Sequence, residues 1–215
     1  MSRLKEIFSN IQKTEKFADV GCDHGIIAKM VVDNNLADTV IITDISKDSL
    51  KKAEDLLSSE IESGRVKSFF TDGLNGVDKD LSECLIAGMG GKEIMKIISE
   101  RNKEDRPFRF ILQPMKNAPE LRVFLVENGY KIVKDYLFFD KKYYDLIVAE
   151  RGEDSLTPNE RDFGRTNLIE KGEAFKNRIQ EKMQKITKRM ENPDLSTENY
   201  FRFLGELVRL KGLLW

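Results

Sequence analysis

The chain has 215 residues, of which 40% are hydrophobic and 34% are charged, and its formal net charge is −1. This balance predicts a packed core under an ionised surface, and it excludes a wholly disordered chain; apolar runs near the roughly 20 residues of a membrane span are absent, as is the apolar block of a signal peptide. We therefore expect a cytoplasmic protein in which Cys22 and Cys84 are small, buried, reduced residues.

The apolar pattern begins with a short amphipathic helix over residues 3–13 and then alternates between strands and helices. The predicted strands are 17–20, 40–43, 66–70, 84–87 and 108–112, and the predicted helices are 25–35, 46–62, 91–100 and 117–128. Strands that alternate with helices require crossover connections. The pattern therefore predicts a mainly parallel sheet that is covered on both faces.

Two further β-rich runs, 131–139 and 143–150, are separated only by a short turn and predict an antiparallel hairpin. A parallel sheet closed by such a hairpin is typical of the class I (Rossmann-like) methyltransferase fold, here with seven strands. Nicotinamide-binding Rossmann domains usually keep their strands parallel at this point.

Beyond residue 151 the β pattern stops and two antiparallel helices are predicted within residues 158–214. The first has a coiled-coil-like seam formed by Phe175, Ile179, Met183, Ile186 and Met190. The second is expected to oppose it with Phe201, Leu204, Val208 and Leu210. We therefore predict a catalytic domain over residues 1–152 and a helical hairpin extension over residues 153–215.

The first predicted strand runs into the loop Asp19–Val20–Gly21–Cys22–Asp23–His24–Gly25, at the position where a doubly wound sheet binds its ligand. Glycine permits close approach to a ligand, although many tight turns need glycine for conformational reasons alone. The next two strands end at Asp44–Ile45 and Asp72–Gly73. Asp44 is placed to accept hydrogen bonds from both ribose hydroxyls of a nucleoside, and Asp72 from an adenine amino group.

The acidic first loop also discriminates between cofactors. Asp19 and Asp23 would repel a pyrophosphate, whereas they suit a ligand that carries an amine and a sulfonium. The sequence thus favours S-adenosyl-L-methionine over NAD, and no metal site is predicted. The predicted cofactor-binding residues are Asp19, Gly21, Asp23, His24, Gly25, Asp44, Ile45, Asp72, Gly73 and Gly88.

Five segments in order resemble the bacterial tRNA (adenine(22)-N1)-methyltransferase family, often called TrmK, across residues 15–152. They are Asp19–Val20–Gly21–Cys22–Asp23–His24, Ile86–Ala87–Gly88–Met89–Gly90–Gly91, Leu112–Gln113–Pro114, Leu121–Arg122 with Asn128–Gly129–Tyr130, and Tyr144–Asp145–Leu146–Ile147–Val148–Ala149–Glu150. The family more often has alanine where this chain has Gly25. The resemblance implies methyl transfer from S-adenosyl-L-methionine to the N1 atom of an adenine in tRNA, by a class I domain with a coiled-coil-like extension.

For this reaction, we expect Met89 and Gly90 to line the pocket of the acceptor base and the Gln113 amide to orient the adenine edge. His24 or Tyr143 would stack or hydrogen-bond near the cofactor, unless His24 is a structural loop residue beside a carboxylate. No general base is predicted, because neutral adenine presents its N1 lone pair directly.

The segment 176–189 contains a single acid, Glu181, and six basic residues. The basic residues are Lys176, Arg178, Lys182, Lys185, Lys188 and Arg189. They either contact RNA phosphates or form the solvated face of a coiled coil. The alternatives to tRNA methylation are a methyltransferase acting on another RNA, a protein or a small molecule, and an RNA-binding scaffold without turnover. The sequence leaves the oligomeric state open, with a monomer as one possibility.

Overall fold

The computed structural model describes residues 2–214. The strands are β1 (Thr14–Val20), β2 (Ala37–Asp44), β3 (Val66–Phe70), β4 (Glu83–Met89), β5 (Arg109–Pro114), β6 (Tyr130–Asp140) and β7 (Lys142–Arg151). The helices are α1 (Arg3–Phe8), α2 (Ile26–Asp33), α3 (Lys47–Leu56), α4 (Ser58–Glu62), α5 (Gly91–Ser99), α6 (Ala118–Glu127), α7 (Pro158–Phe163), α8 (Arg165–Glu170), α9 (Glu173–Met190) and α10 (Thr197–Leu214), with a 3₁₀ turn at Lys103–Asp105.

The seven strands form one sheet in the order β3-β2-β1-β4-β5-β7-β6. Strands β1 to β5 pair in parallel, and the β6–β7 hairpin adds to β5 in antiparallel orientation. The predicted fold is therefore confirmed. The chain winds from β1 towards β3 on one side and from β4 towards β6 on the other, so the loops after β1 and β4 diverge and leave a crevice between them.

The core lies on both faces of this sheet, because neighbouring residues of a strand point to opposite sides. Phe17 packs with α2 and α3 on one face, while Ala18 packs with α5 and α6 on the other. Both residues are fully buried. Cys22 and Cys84 are buried and unpaired, as predicted.

Two predicted helices have different bounds in the structure. The first helix ends at Phe8 rather than at residue 13, because the Asn10 side chain donates to Glu6 O and to the Tyr136 hydroxyl and thereby ends the helix. The predicted helix 46–62 is broken at the buried Leu57 into α3 and α4.

Between residues 153 and 214, the structure has four helices rather than the predicted two. Helix α7 begins with a capping box, in which Thr157 accepts from Glu160 N–H and Glu160 accepts from Thr157 N–H. Helices α7 and α8 have six residues each, which is too short for a periodic apolar pattern to be recognised. Helices α9 and α10 then form the predicted hairpin, whose core is separate from that of the sheet.

The expected seam of α10 was largely wrong. Of the predicted residues only Leu210 is buried, whereas Phe201 and Val208 are 63% and 67% exposed. The side chains that pack towards α9 are Phe203, Leu207, Leu210, Leu213 and Leu214. Both stripes are apolar and helical in spacing, so the periodicity alone does not decide which one faces α9.

A buried ion cluster attaches this helical region to the sheet. Arg122 is fully buried, and its guanidinium lies 2.9 Å from Asp135 and 2.8 Å from Asp145. Asp135 also accepts from Thr166 N–H, and the Leu137 N–H donates to the side chain of Asn167. Since removing one member would leave a buried charge unpaired, the cluster fixes where α7 and α8 dock.

Candidate functional site

A cleft of about 710 Å³ lies at the carboxyl edge of the sheet, where the strand order reverses. It is formed by the loops that follow β1 to β4, together with α1 and the tip of the β6–β7 hairpin. This volume is in the range of small-molecule sites. Nine of the ten predicted cofactor-binding residues line it: Asp19, Gly21, Asp23, His24, Asp44, Ile45, Asp72, Gly73 and Gly88.

The tenth, Gly25, lies behind the cleft, at the start of α2. Its φ is +69°, and a Cβ here would lie 2.8 Å from Ala53 Cβ on α3. The conformational explanation of this glycine is therefore the one that the packing supports. An alanine, which the resembling family more often has at this position, would be strained in this chain unless α3 moved.

Asp44 is the most rigidly held acid of the cleft. It is 8% exposed at the end of β2, and its two carboxylate oxygens accept from Asp23 N–H at 3.0 Å and from Ser46 N–H at 2.8 Å. Ser46 in turn caps α3 by accepting from Ser49 N–H. Because both oxygens are fixed by backbone donors, the carboxylate is oriented before any ligand binds.

Asp19 is the most strongly perturbed acid of the cleft. It is buried in β1, one residue before the strand ends, and burial raises its pKa to about 7. A hydrogen bond from the backbone of Ala28 opposes this shift, and the charge of Asp44 adds to it. Among residues 2–214, no Lys, Arg or His lies within ion-pair distance of this carboxylate. A cationic ligand group would therefore relieve the cost of its ionisation.

The other polar residues lie at the rim of the cleft. Asp23 is exposed, with a φ of +51°, and one of its oxygens lies 3.6 Å from His24 Nε2. Lys52 Nζ lies 3.2 Å from the same His24 nitrogen. The His24 ring is thus flanked by Asp23 and Lys52, which are the surroundings of a loop residue beside a carboxylate. Asp72 forms an exposed ion pair with Lys96 at 3.0 Å. Beside them Ile45 is 65% exposed and offers an apolar surface for a flat ring.

Of the residues predicted to line the pocket of the acceptor base, one lines the cleft and one does not. Met89 lines the cleft, and its side chain lies so close to Gly21 that a Cβ there would overlap the Met89 methyl group. Gly90 is not among the lining residues, and a Cβ on it would approach Lys116 instead. The adjacent Gly91 permits a still closer approach, because a Cβ there would lie 2.7 Å from Asn117 O. These two glycines make room for the loop after β5.

Gln113 and Tyr143 do not reach the cleft. Gln113 is fully buried, its Oε1 accepts from Arg3 Nε at 2.7 Å, and its amide donates to Pro114 O. Tyr143 donates to Glu181 of α9 at 2.7 Å. Of the two residues expected near the cofactor, His24 lines the cleft, whereas the Tyr143 hydroxyl is directed towards the helical region.

Arg3 is the main cleft residue that the sequence analysis missed. It lies at the start of α1, and it lines the cleft beside Gly88. An arginine in a short amphipathic helix, about 85 residues before the loop it meets, carries no sequence signal for such a role. Asp140 at the hairpin tip also lines the cleft and accepts from Arg3 N–H at 2.8 Å.

Within residues 2–214, no cluster of three or more His, Cys, Asp or Glu residues has an arrangement that could hold a metal ion. None of the helices in the same part of the chain is both long and apolar enough to span a membrane.

The sheet topology and the cleft at its switch point define a Rossmann-like α/β protein with a site large enough for a small molecule. A family model described as a methyltransferase domain matches residues 1–147, about two thirds of the chain. The chain belongs to this methyltransferase-domain family.

Individual relatives agree with this assignment. A Mycoplasma pneumoniae protein, provisionally named a tRNA methyltransferase, is 34% identical over 138 residues, which is 64% of each chain. The chain thus aligns with under two thirds of this relative's length. Sp1610 of Streptococcus pneumoniae in complex with S-adenosyl-L-methionine matches with a TM-score of 0.87 and 23% identity, covering 100% of both chains. The B. subtilis M1A22 tRNA methyltransferase TrmK matches at 0.81 and 22%, over 100% of this chain and 99% of its own. At these identities the solved structures show the fold, including its helical extension.

Proposed function

We propose that this protein transfers a methyl group from S-adenosyl-L-methionine to the N1 atom of an adenine in tRNA, with position 22 as the target that the family resemblance implies. The observation that carries the proposal is the cleft, in which Asp19, Asp44 and Asp72 converge from three strands. The names of the Mycoplasma and B. subtilis proteins support tRNA as the substrate.

The residues of the cleft fit S-adenosyl-L-methionine group by group. Asp44, held by two backbone N–H groups, suits the two ribose hydroxyls, since each of its oxygens has a lone pair left over. Asp19 suits the amine of the methionine part, because it is a buried carboxylate without a cationic partner among the described residues. Asp72, Gly73 and Ile45 suit the adenine ring at the rim. Asp23 remains exposed, and we assign the amine to Asp19.

When bound, S-adenosyl-L-methionine supplies a methyl group on a positively charged sulfur. The N1 lone pair of neutral adenine is the nucleophile, so no residue of this chain has to remove a proton from it. The chain contributes placement: Met89 and Gly88 line the cleft at the end of β4, and we assign them to the boundary between the cofactor and the acceptor base. Positioning of this kind is worth about 7 to 11 kcal/mol in favourable systems.

We infer that α9 contacts the RNA. Arg178, Lys182, Lys185 and Arg189 follow one another at i, i+4, i+7 and i+11, so they form one stripe, hereafter the basic stripe, along a helix of 18 residues or about 27 Å. Among residues 2–214, only Arg178 of these four has an acidic partner, Glu181 at 3.6 Å. Uncompensated cations in a row suit the phosphates of an RNA backbone.

The basic stripe begins next to the element that borders the cleft. The Arg178 guanidinium lies 5.2 Å from the ring centre of Tyr143, and Tyr143 is three residues from the cleft residue Asp140 on the same hairpin. RNA bound along α9 would therefore be continuous with the cleft. On this basis we assign catalysis to residues 1–152 and tRNA binding to residues 153–215, and we expect the protein to act in the cytoplasm.

Product analysis tests the proposed function directly. The protein would be incubated with unmodified tRNA and S-adenosyl-L-methionine labelled on the methyl group, and the RNA would then be digested to nucleosides. Label in 1-methyladenosine, lost when the target adenine is replaced, is the expected result. Label in another nucleoside would change the target. Cofactor binding without any transfer to RNA would favour another substrate or a scaffold.

A further inference from the structure

We propose that Arg3 binds a phosphate of the nucleotide whose base enters the cleft, and that Gln113 positions Arg3 for this contact. The inference rests on the proposed function, and it assigns a substrate-binding role to a residue of α1.

Arg3 is held at three points. Its backbone N–H donates to Asp140 Oδ2 at 2.8 Å, and its Nε donates to Gln113 Oε1 at 2.7 Å. Its guanidinium carbon lies 5.6 Å from the ring centre of Tyr144. A long side chain that is fixed in this way has already lost the rotamer freedom that binding would otherwise cost.

The residues around Arg3 are shaped for it. Gln113 is a fully buried amide in the sheet, and its carbonyl oxygen is used for Arg3. Gly88 has a φ of +84°, and a Cβ on it would lie 2.8 Å from Arg3 Nη2. Glycine at this position therefore lets the guanidinium lie directly against the loop after β4.

The charge of Arg3 is exceptional in the cleft. Among residues 2–214, Arg3 is the only Lys or Arg that lines the cleft, whereas six carboxylates do so: Asp19, Asp23, Asp44, Asp72, Glu93 and Asp140. An RNA nucleotide would meet a site that repels its phosphate, except at this one cation. The Nη1 and Nη2 groups donate to no residue among 2–214, which leaves them for a ligand.

A phosphate fits this cation better than the base does. Methylation at N1 moves positive charge onto the adenine ring, and a guanidinium against that ring would oppose the transfer. A guanidinium matches the oxygens of a phosphate in geometry and in charge. The Gln113 amide, which we expected to orient the adenine edge, thus acts one step further back, through Arg3.

The test compares Arg3→Gln, Arg3→Lys and Gln113→Leu with a control on the same helix, the exposed Lys5→Gln. Three quantities would be measured: S-adenosylhomocysteine affinity by calorimetry, the KM for unmodified tRNA, and the salt dependence of tRNA binding. For Arg3→Gln we expect a KM raised about tenfold, a cofactor affinity within about twofold of the parent, and a slope of log affinity against log salt reduced by about 0.7 to 1.

The other variants separate charge from position. Arg3→Lys keeps the salt slope, because the charge remains. Its KM for tRNA rises, but less than that of Arg3→Gln, because lysine cannot pair with Gln113 in the same way. Gln113→Leu raises the KM for tRNA less than Arg3→Gln does. When both changes are made in one protein, the KM is the same as that of Arg3→Gln alone. Lys5→Gln behaves as the parent.

An Arg3→Gln variant with parental KM, or one that loses activity with an unchanged salt slope, would overturn the inference. So would a loss of cofactor affinity that matches the loss of activity. A parent protein that does not methylate tRNA at all would instead refute the proposed function, and this outcome is seen before any variant is made.

Discussion

The charged side chains of the cleft and those of the basic stripe of α9 differ in sign, in burial and in how they are held. In the cleft, Asp19 and Asp44 are buried, and Asp44 is fixed by backbone N–H groups. On α9, Lys182, Lys185 and Arg189 are exposed on long side chains, and no acid within residues 2–214 pairs with them. A few oriented carboxylates suit a small ligand with defined groups, whereas a row of exposed cations suits a long polyanion.

This difference predicts different responses to salt. Exposed charges are screened beyond about 8 to 10 Å at physiological ionic strength, whereas buried charges are screened much less. Cofactor binding should therefore change little with salt, and tRNA binding should weaken strongly. The net charge of −1 conceals both regions, because they nearly cancel over the whole chain.

The largest effect is expected for Asp44→Ala. It removes the acceptor proposed for both ribose hydroxyls, and hydrogen bonds to a charged group are worth about 1.5 to 3 kcal/mol each, so S-adenosylhomocysteine affinity should fall at least about 100-fold by calorimetry. Asp38→Ala, an exposed acid on the same strand, is the control and should bind as the parent does. Parental affinity of a folded Asp44→Ala protein would remove Asp44 from the cofactor site.

The basic stripe is tested by Lys182→Gln, Lys185→Gln and Arg189→Gln in one protein. Losing three phosphate contacts should weaken tRNA binding by at least about tenfold in filter binding at moderate salt, and cofactor affinity should not change. The matched control replaces the exposed Lys13, Lys103 and Lys131 by glutamine, which changes the net charge equally. These three lysines lie towards the amino ends of the strands, whereas the cleft lies at the carboxyl ends. Equal losses in both proteins would mean that the overall charge attracts the RNA and that α9 does not bind it.

Asp19 gives cofactor binding a pH dependence. Its pKa of about 7, raised by burial, leaves it mostly protonated near pH 5.5, so affinity for the amine-bearing S-adenosylhomocysteine should rise about tenfold from there to pH 7. Stability should respond in the opposite direction: the folded state holds this proton more tightly than the unfolded chain, so Asp19 favours folding at low pH, and this contribution is lost as the pH rises through about 7.

The two pH effects have a common control. Asp19→Asn should flatten both profiles, in calorimetry and in urea unfolding, whereas His24→Gln should leave the dependence in place. A profile that stays steep in Asp19→Asn would assign the titration to another group.

The smallest effect is expected for Tyr143→Phe. This change removes only the hydrogen bond between the hairpin and Glu181, a partly exposed contact worth about 0.5 to 1.5 kcal/mol. We expect tRNA affinity to fall less than about threefold and cofactor affinity to stay constant. A loss of cofactor affinity would show that Tyr143 acts on the cleft after all and that the two regions are coupled through it.

Local pattern was sufficient for much of the cleft. Asp44 and Asp72 were identified because parallel strands place their carboxyl ends at one edge, so that an acid after each strand must share a site. The sequence also predicts that Gly25 and Gly90 lie beside ligands, and in the structure their close neighbours are Ala53 and Lys116. A glycine has the same appearance in a sequence whether it makes room for a ligand or for another part of the chain.

The sequence by itself determined the order of strands and helices, the antiparallel hairpin and the acids at the strand ends, because these depend on periodicity and on neighbours along the chain. Only the tertiary structure decided that Arg3 lies against Gly88 and that Gln113 is buried beneath it, since these contacts join residues 85 and 110 positions apart. It also decided which apolar stripe of α10 faces α9. Two stripes of similar hydrophobicity differ only in what packs against them, and packing is a property of the folded chain.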